Sequence, residues 1–412
     1  MSLRIVHMSD LHVRSDARLP DQAATLRAVV DEAIGYHPDL WLITGDLYGR
    51  TVPHRSTPLE RATLHPEVVR MAEVAPVVVI AGNHDDDEDI LGLQHLRGNH
   101  PIHVITSAQR LTVETMGGPV ALYCLPYPTK RSLVGDHPMS LSEAQQAIEE
   151  RLAGLLGCWR HEIRKGRLEC PEMPHVFLFH GVIAGTKMSG GEVMRDDEIT
   201  LSRADVDALP FDYGAVGHPH LRQELAERCW APSSLWRNDY SETDPKGWHL
   251  VDIAETLSEV TADPFYEEGF TTYREEDDRQ ACTVRRMLSP CRTFHTIEVE
   301  WGDVGGLPGW ITPPPDLSPC RDAEVRVRLQ VGEAWVGSCP WGELLTAIRA
   351  AGAVRLAPER RVIPSQRVRA PAVAAAETSE AKMQAFWETL EPPPTGAERE
   401  AAIGALRELE GR

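Results

Sequence analysis

No run of about 18 consecutive apolar residues occurs in this chain, so a membrane-spanning helix is not expected. A strand-like segment already begins at Leu3 and leaves no room for a basic leader followed by a separate apolar stretch, so a non-secreted, cytoplasmic protein is expected. The 8 cysteines (Cys124, Cys158, Cys170, Cys229, Cys282, Cys291, Cys320 and Cys339) include no CxxC pair. That scatter fits reduced thiols, not a disulfide framework or a structural zinc site. Positive charge is also scarce: 42 Lys and Arg face 62 Asp and Glu, for a formal charge of −20. Backbone affinity for nucleic acid rests on neutralising phosphates with Lys and Arg, so nonspecific attraction to it is disfavoured. Such a substrate would need bound metal ions, a local basic region or a partner. The acidic run Asp85 to Asp89 lacks the glycine and distal glutamate of an EF-hand loop, and beyond Asp85 it reads as a solvated helix start.

The 412 residues suit two or three domains, at roughly 100–200 residues each. A hydrophobic content of 42% with 25% charged residues is that of a globular protein. Short apolar stretches at Leu3 to Met8, Leu40 to Ile43, Val77 to Ile80, Val176 to Phe179 and Tyr213 to Val216 have the length and composition of buried strands. Each is followed by a polar motif: Ser9-Asp10-Leu11-His12, Gly45-Asp46, Gly82-Asn83-His84-Asp85, His180-Gly181 and Gly217-His218-Pro219-His220. Every motif therefore falls at the carboxyl end of a strand, where open α/β sheets bind ligands.

Asp, Asn and His are oxygen and nitrogen ligands, and with no thiolate among them they favour Mn²⁺, Fe²⁺, Zn²⁺ or Co²⁺ over an iron–sulfur cluster or Cu⁺. A shared carboxylate is the simplest way to hold two cations about 3.5–4 Å apart, and Asp46, central in the series, is the candidate bridge. Paired divalent ions polarise a phosphoryl oxygen and generate hydroxide near neutral pH, so metal-assisted phosphoester hydrolysis is the expected chemistry. Any one motif could equally be a helix cap, a turn or a satisfied core histidine. All of them in this order favour the metal reading. His7, His37, His103, His161, His249 and His295 lack such a context and read as structural or exposed.

The series D-x-H, GD, GNHD, H and GHxH resembles the calcineurin-like metallophosphoesterase superfamily. The resemblance implies that Asp10, His12, Asp46 and His220 hold one metal, while Asp46, Asn83, His180 and His218 hold the other. It implies too that His84 is a non-ligand that stabilises the pentacovalent phosphorus and protonates the leaving oxygen, oriented by Asp85. Histidine is the side chain poised for that proton transfer near neutral pH.

Leu26, Val29, Val30, Ala33 and Ile34 predict a helix that stops at Gly35, and another helix is expected before Val77. Ser142 to Leu156 opens with a Ser-x-x-Gln box and predicts a helix with Ile148, Leu152 and Leu155 on one face. The expected architecture is a layered αββα sandwich with the metal site on one rim. From about Cys291 the texture changes: Thr296 to Trp301 reads as a strand, Gly305 to Pro319 as a loop, Glu324 to Val331 as a half-buried strand, Trp341 to Ala351 as a helix and Val354 to Val368 as a strand. Arg355, Arg360, Arg361, Arg367 and Arg369, with Arg326 and Arg328, form either a phosphate track or a solvated face. An Ala/Pro linker, Ala370 to Ala376, precedes two amphipathic pieces, one with Met383, Phe386, Trp387 and Leu390 and the other starting at Thr395-x-x-Glu398 with Ile403, Leu406 and Leu409. They read as docking onto a partner or back on the body.

Further runs, Val182-Ile183-Ala184-Gly185, Ser189-Gly190-Gly191-Glu192, Trp230 to Leu235, Arg237, Asp239-Tyr240, Glu242 and Lys246-Gly247, resemble the SbcD family of DNA-repair nuclease subunits. The resemblance is strongest up to about Ile253; Ser233 and Gly49 stand where relatives usually carry Gly and His or Asp. It implies a nuclease domain at 1–290, a capping domain at 291–370 and a linker with ATPase-binding helices at 371–412. It implies also a 3′-to-5′ exonuclease and endonuclease that uses two divalent ions, Mn²⁺ by preference with Mg²⁺, Fe²⁺ or Co²⁺ as substitutes. The substrate would be DNA ends or hairpins, the assembly a homodimer, and the partner an SbcC-type coiled-coil ATPase. A stand-alone phosphodiesterase for small nucleotides and a non-catalytic scaffold are the competing readings; none of the ligand positions is lost, which weighs against the scaffold.

Overall fold

A computed structural model of the chain describes residues 2–49, 55–135, 140–191, 198–261, 271–275, 279–313, 315–364, 370–390 and 392–409. Two compact units result, one of Met1–Thr296, Ser318–Arg326 and Ala351–Leu356, the other of Ile297–Leu317, Val327–Ala350 and Ala357–Arg412.

In the first unit β1 (Leu3–Met8), β2 (Leu40–Thr44), β3 (Val77–Ile80) and β4 (Ile102–Ile105) pair in parallel. β5 (Gln109–Thr115), β6 (Gly118–Leu125) and β7 (His175–His180) begin a second sheet, and β8 (Val182–Ile183) with β9 (Thr200–Leu201) makes a small ribbon. β10 (Tyr213–Gly217), β11 (Gln223–Ala226) and β12 (Cys229–Ala231) complete the second sheet, while β13 (Gly247–Ala254), β14 (Thr271–Tyr273) and β15 (Ala281–Leu288) extend the first. The resulting orders are β14-β15-β13-β1-β2-β3-β4 and β11-β12-β10-β7-β6-β5.

The period of two along each strand explains the layering. β1 sends Leu3 and Ile5 into the layer between the sheets, where they meet Val176, Leu178 and Ala215. Val6 and Met8 of the same strand face the opposite way, toward Leu26, Val29, Val30 and Ala33 of the Leu19–Ile34 helix and Leu64, Val68 and Met71 of the Pro58–Val74 helix. Strands covered on both faces read as continuous apolar runs, and that is why the sequence marks them so plainly. On the far face of the second sheet Tyr123, Phe177 and Phe179 pack against Leu152, Leu156, Trp159 and Ile163 of the Leu141–Glu169 helix. Helix, sheet, sheet and helix layers follow, as expected. The inner layer also holds a polar chain: His7 Nδ1 lies 2.8 Å from the Tyr213 hydroxyl and His7 Nε2 2.9 Å from Thr44 Oγ1.

Two expectations about the long helix need correction. Its cap is Ser140, paired reciprocally with Glu143, in place of the Ser142 box, and it runs to Glu169, well past Leu156. Gly154 and Gly157 suggest an end there, but burial of Trp159 and Ile163 against the sheet outweighs their helix cost of about 1 kcal/mol each.

β16 (Phe294–Val304), β17 (Leu307–Trp310), β18 (Glu324–Gly332) and β19 (Arg355–Ile363) form a sheet ordered β17-β16-β18-β19. The stretch expected as loop after Gly305 thus contains a strand, because Gly305 and Gly306 take positive φ (66° and 89°) and turn Leu307 back onto Val304. Val325, Val327, Leu329 and Val331 are buried in the expected alternation. The Trp341–Ala350 helix lies in the second unit. Pro371–Ala375 is helical, not an open linker, followed by helices Ser379–Trp387 and Gly396–Leu409. The first of these holds Trp387 buried while Phe386 is half exposed, and Arg399 of the second lies over the Trp387 ring at 5.6 Å. Among the described residues no helix is long and apolar enough to cross a membrane.

Candidate metal centre

Asp10 and His12 follow β1, Asp46 follows β2, Asn83 follows β3, His180 ends β7, and His218 and His220 follow β10. The sheets carry all of them to one rim. His12 Nε2 lies 2.9 Å from His220 Nε2 and 3.9 Å from Asp10 Oδ1, and His220 Nε2 lies 3.7 Å from the same oxygen. A second cluster has His180 Nε2 at 3.1 Å and His218 Nδ1 at 3.0 Å from Asn83 Oδ1. Asp46 Oδ2 stands between the clusters, 3.6 Å from His12 Nε2 and 3.5 Å from His180 Nε2. Ligand atoms bonded at about 2.0–2.2 Å to one cation sit roughly 3–4 Å apart, depending on the bond angle, so these separations fit two ions sharing Asp46. Two imidazole nitrogens aimed at each other across 2.9 Å make good sense with a cation held by both.

Backbone conformation serves the same end. Asp10 (φ 52°), His12 (φ 41°), Asp46 (φ 54°) and His218 (φ 93°) all occupy the left-handed region. Such residues cost roughly 1–3 kcal/mol each and cluster at functional sites.

In two of the histidines the other ring nitrogen is anchored, which fixes tautomer and orientation. His180 Nδ1 donates to the Thr44 carbonyl at 2.6 Å, and His220 Nδ1 pairs with Glu242 Oε1 at 3.0 Å. Glu242 is in turn held by the buried Lys246 Nζ at 2.7 Å. Ser9 Oγ donates to the Asp10 carboxylate. Glu242 and Lys246 stand in the sequence runs that resemble the SbcD family but with no role attached, because the spacing of Glu242 from His220 has no local periodicity, and Thr44 is unmarked, because a backbone carbonyl leaves no trace in sequence.

Charge is concentrated here. Burial opposes ionisation of Asp46, but His180, His12 and His84 outweigh it and hold its carboxyl well below the usual range. Burial likewise disfavours a charged His180, yet Asp46 and Asp10 push its pKa up to about 9. Burial drives His12 the other way, well below its ordinary value. An anionic pocket that retains a proton on a buried histidine is one a divalent cation can enter by displacing that proton.

His84 sits at the mouth, its Nε2 3.9 Å from Asp46 Oδ2 and its backbone N–H donating to Asp46 Oδ1 at 2.9 Å. Its side chain is 28% exposed, the accessibility a proton donor to substrate requires. Asp85 works through the backbone: Oδ2 accepts the N–H groups of Asp46 and Gly82, and Oδ1 accepts that of Leu47, each at 2.9 Å. Burial and the Asp46 charge push its carboxyl up to about 7. The expected basic track is less free than its composition implies. Arg355 pairs with Asp21 and Glu324, and Arg328 with Glu298 and Glu359, while Arg367, Arg369 and Glu192 lie outside the described residues.

Residues 3–139 match the calcineurin-like phosphoesterase family. The chain carries a calcineurin-like metallophosphoesterase domain. The chemistry of such a domain is phosphoester hydrolysis with divalent metals, and the clusters above are the residues that fit them. Over 266 residues the chain is 24% identical to the SbcD component of the SbcCD nuclease of Staphylococcus saprophyticus subsp. saprophyticus, covering 61% of this chain and 66% of that protein, just under two thirds of its length. Looser likenesses reach GAP50, the anchor in the inner membrane complex of Plasmodium, at 9% identity and TM-score 0.37 over 62% of this chain and 82% of that one. A protein from Staphylococcus aureus, named as a putative 5′-nucleotidase, matches at 13% and TM-score 0.37 over 71% and 54%. At that score neither bears on substrate.

Proposed function

We propose that this phosphoesterase is an SbcD-type DNA phosphodiesterase, a Mn²⁺-dependent 3′-to-5′ exonuclease and endonuclease at DNA ends and hairpins. The convergence of both ligand clusters on Asp46 supports the hydrolytic part of this reading. The likeness to a nuclease component and the runs after His180 and His220 support the choice of DNA. Asp10, His12, Asp46 and His220 would hold one ion; Asp46, Asn83, His180 and His218 would hold the other. When bound, the ions supply hydroxide near neutral pH and neutralise the phosphoryl oxygens. His84 Nε2 gives its proton to the leaving oxygen as the phosphorus–oxygen bond breaks, and Asp85 keeps the loop that carries Asp46 and His84 in place.

In this reading residues 1–290 are the nuclease, 291–370 cap it, and the helices after 370 hold an SbcC-type ATPase, two copies of the chain facing two DNA ends. Purified protein with Mn²⁺ and end-labelled duplex, with and without such a partner, tests it. Metal-dependent shortening of the strand is expected. Turnover of cyclic or small nucleotides with no action on duplex or hairpin DNA would overturn it.

A further inference from the structure

A cavity of about 900 Å³ opens at the amino ends of β7 and β10, the end opposite the metal centre. Four arginines line it, Arg160, Arg164, Arg167 and Arg279, in a protein whose net charge is −20. Two are spoken for: Arg167 bonds Asp212 at 2.8 Å and the Pro210 carbonyl, and Arg279 pairs with Glu227 at 3.0 Å. Among the described residues the guanidinium groups of Arg160 and Arg164 have no hydrogen bond or ion pair, and the Nε atoms of Arg160 and Arg279 are buried without an acceptor.

Helix electrostatics do not account for this arrangement. Arginines favour the carboxyl end of a helix only over about its last turn, and Arg160 lies well inside a helix that ends at Glu169. Arg160, Arg164 and Arg167 recur at helical spacing and so share one face, on the cavity. Buried Nε–H donors left unmatched carry a desolvation cost unless an acceptor arrives.

We propose that this cavity binds a nucleoside polyphosphate. Planar guanidinium forks match phosphate oxygens in pairs, and several together suit adjacent phosphoryl groups. The volume lies at the upper end of the roughly 300–1,000 Å³ range of small-molecule sites and exceeds what one oxyanion needs. Leu168, 85% exposed, with Pro171 and Pro210, supplies an apolar wall for the nucleoside.

Calorimetric titration of the EDTA-treated full chain with ATP, inorganic triphosphate and adenosine tests the assignment without reading metal or hydrolysis, so its outcome is independent of the nuclease reading. ATP is expected to bind, and Arg160→Gln and Arg164→Gln are each expected to weaken it by roughly tenfold or more, the loss of a charge-assisted hydrogen bond. Arg151→Gln, exposed on the same helix, is expected to leave binding unchanged. Triphosphate binding with the same arginine dependence supports the phosphate contacts. No binding of ATP or triphosphate, binding undiminished in both arginine variants, or adenosine binding as tightly as ATP would overturn the proposal.

Discussion

Asp46 Oδ2 faces His12 on one side and His180 on the other, and His84 hangs over the same oxygen from the mouth of the site. In the proposed reading His84 is a proton donor and not a ligand, and mutation separates the two roles. His84→Ala should lower phosphodiester hydrolysis by roughly 10²–10⁴-fold, the usual worth of general acid catalysis, while the metal content measured by mass spectrometry stays at the wild-type level. Joint loss of activity and metal would make His84 a ligand instead. His180 gives a second handle. Its folded pKa of about 9 exceeds the ordinary histidine value of 6.5, so its proton stabilises the metal-free fold fully below that value, and this contribution is lost as pH rises through 9. A cation must expel the proton. Metal affinity should therefore climb about tenfold per pH unit as pH rises from 6.5 toward 9, where His180 is still protonated, and level off above 9. A flat titration of Mn²⁺ affinity over that span would show that no proton leaves His180.

Elements meet closely where β10 ends against β2. A Cβ on Gly217 would strike the Thr44 carbonyl and Ser9 Oγ, and would approach His180 Nδ1 at 2.8 Å. Gly217→Ala should then displace the carbonyl that orients His180 and weaken metal binding by about 10–100-fold, as loss of an outer support typically does. Normal affinity in that variant would mean that the sheets can part without harm to the site. On the opposite face Trp159→Ala should cost ~3–5 kcal/mol in denaturant unfolding and leave metal stoichiometry intact, since Trp159 packs on Tyr123 and Phe177 on the face of the second sheet away from the layer between the sheets. The strands that bear the ligands were legible because they are buried on both faces and read as unbroken apolar runs. The long helix was not, since Gly154 and Gly157 mimic an end that only burial of Trp159 and Ile163 overrides. The ligand positions were legible because each follows such a strand. Glu242 and Thr44 were not, because what places them beside His220 and His180 is tertiary folding and not spacing.

Across the whole molecule the acidic balance and the metal centre belong to one electrostatic problem. A formal charge of −20 would repel the DNA of the proposed reading, and Arg328 and Arg355 are neutralised by their carboxylate partners. Bound cations then bear most of the attraction at the site itself. If two divalent ions lie on either side of Asp46, anomalous diffraction from crystals equilibrated with Mn²⁺ will locate them. Two peaks about 3.5–4 Å apart, both within coordination distance of Asp46, are predicted. A single peak, or peaks away from Asp46, would contradict the account.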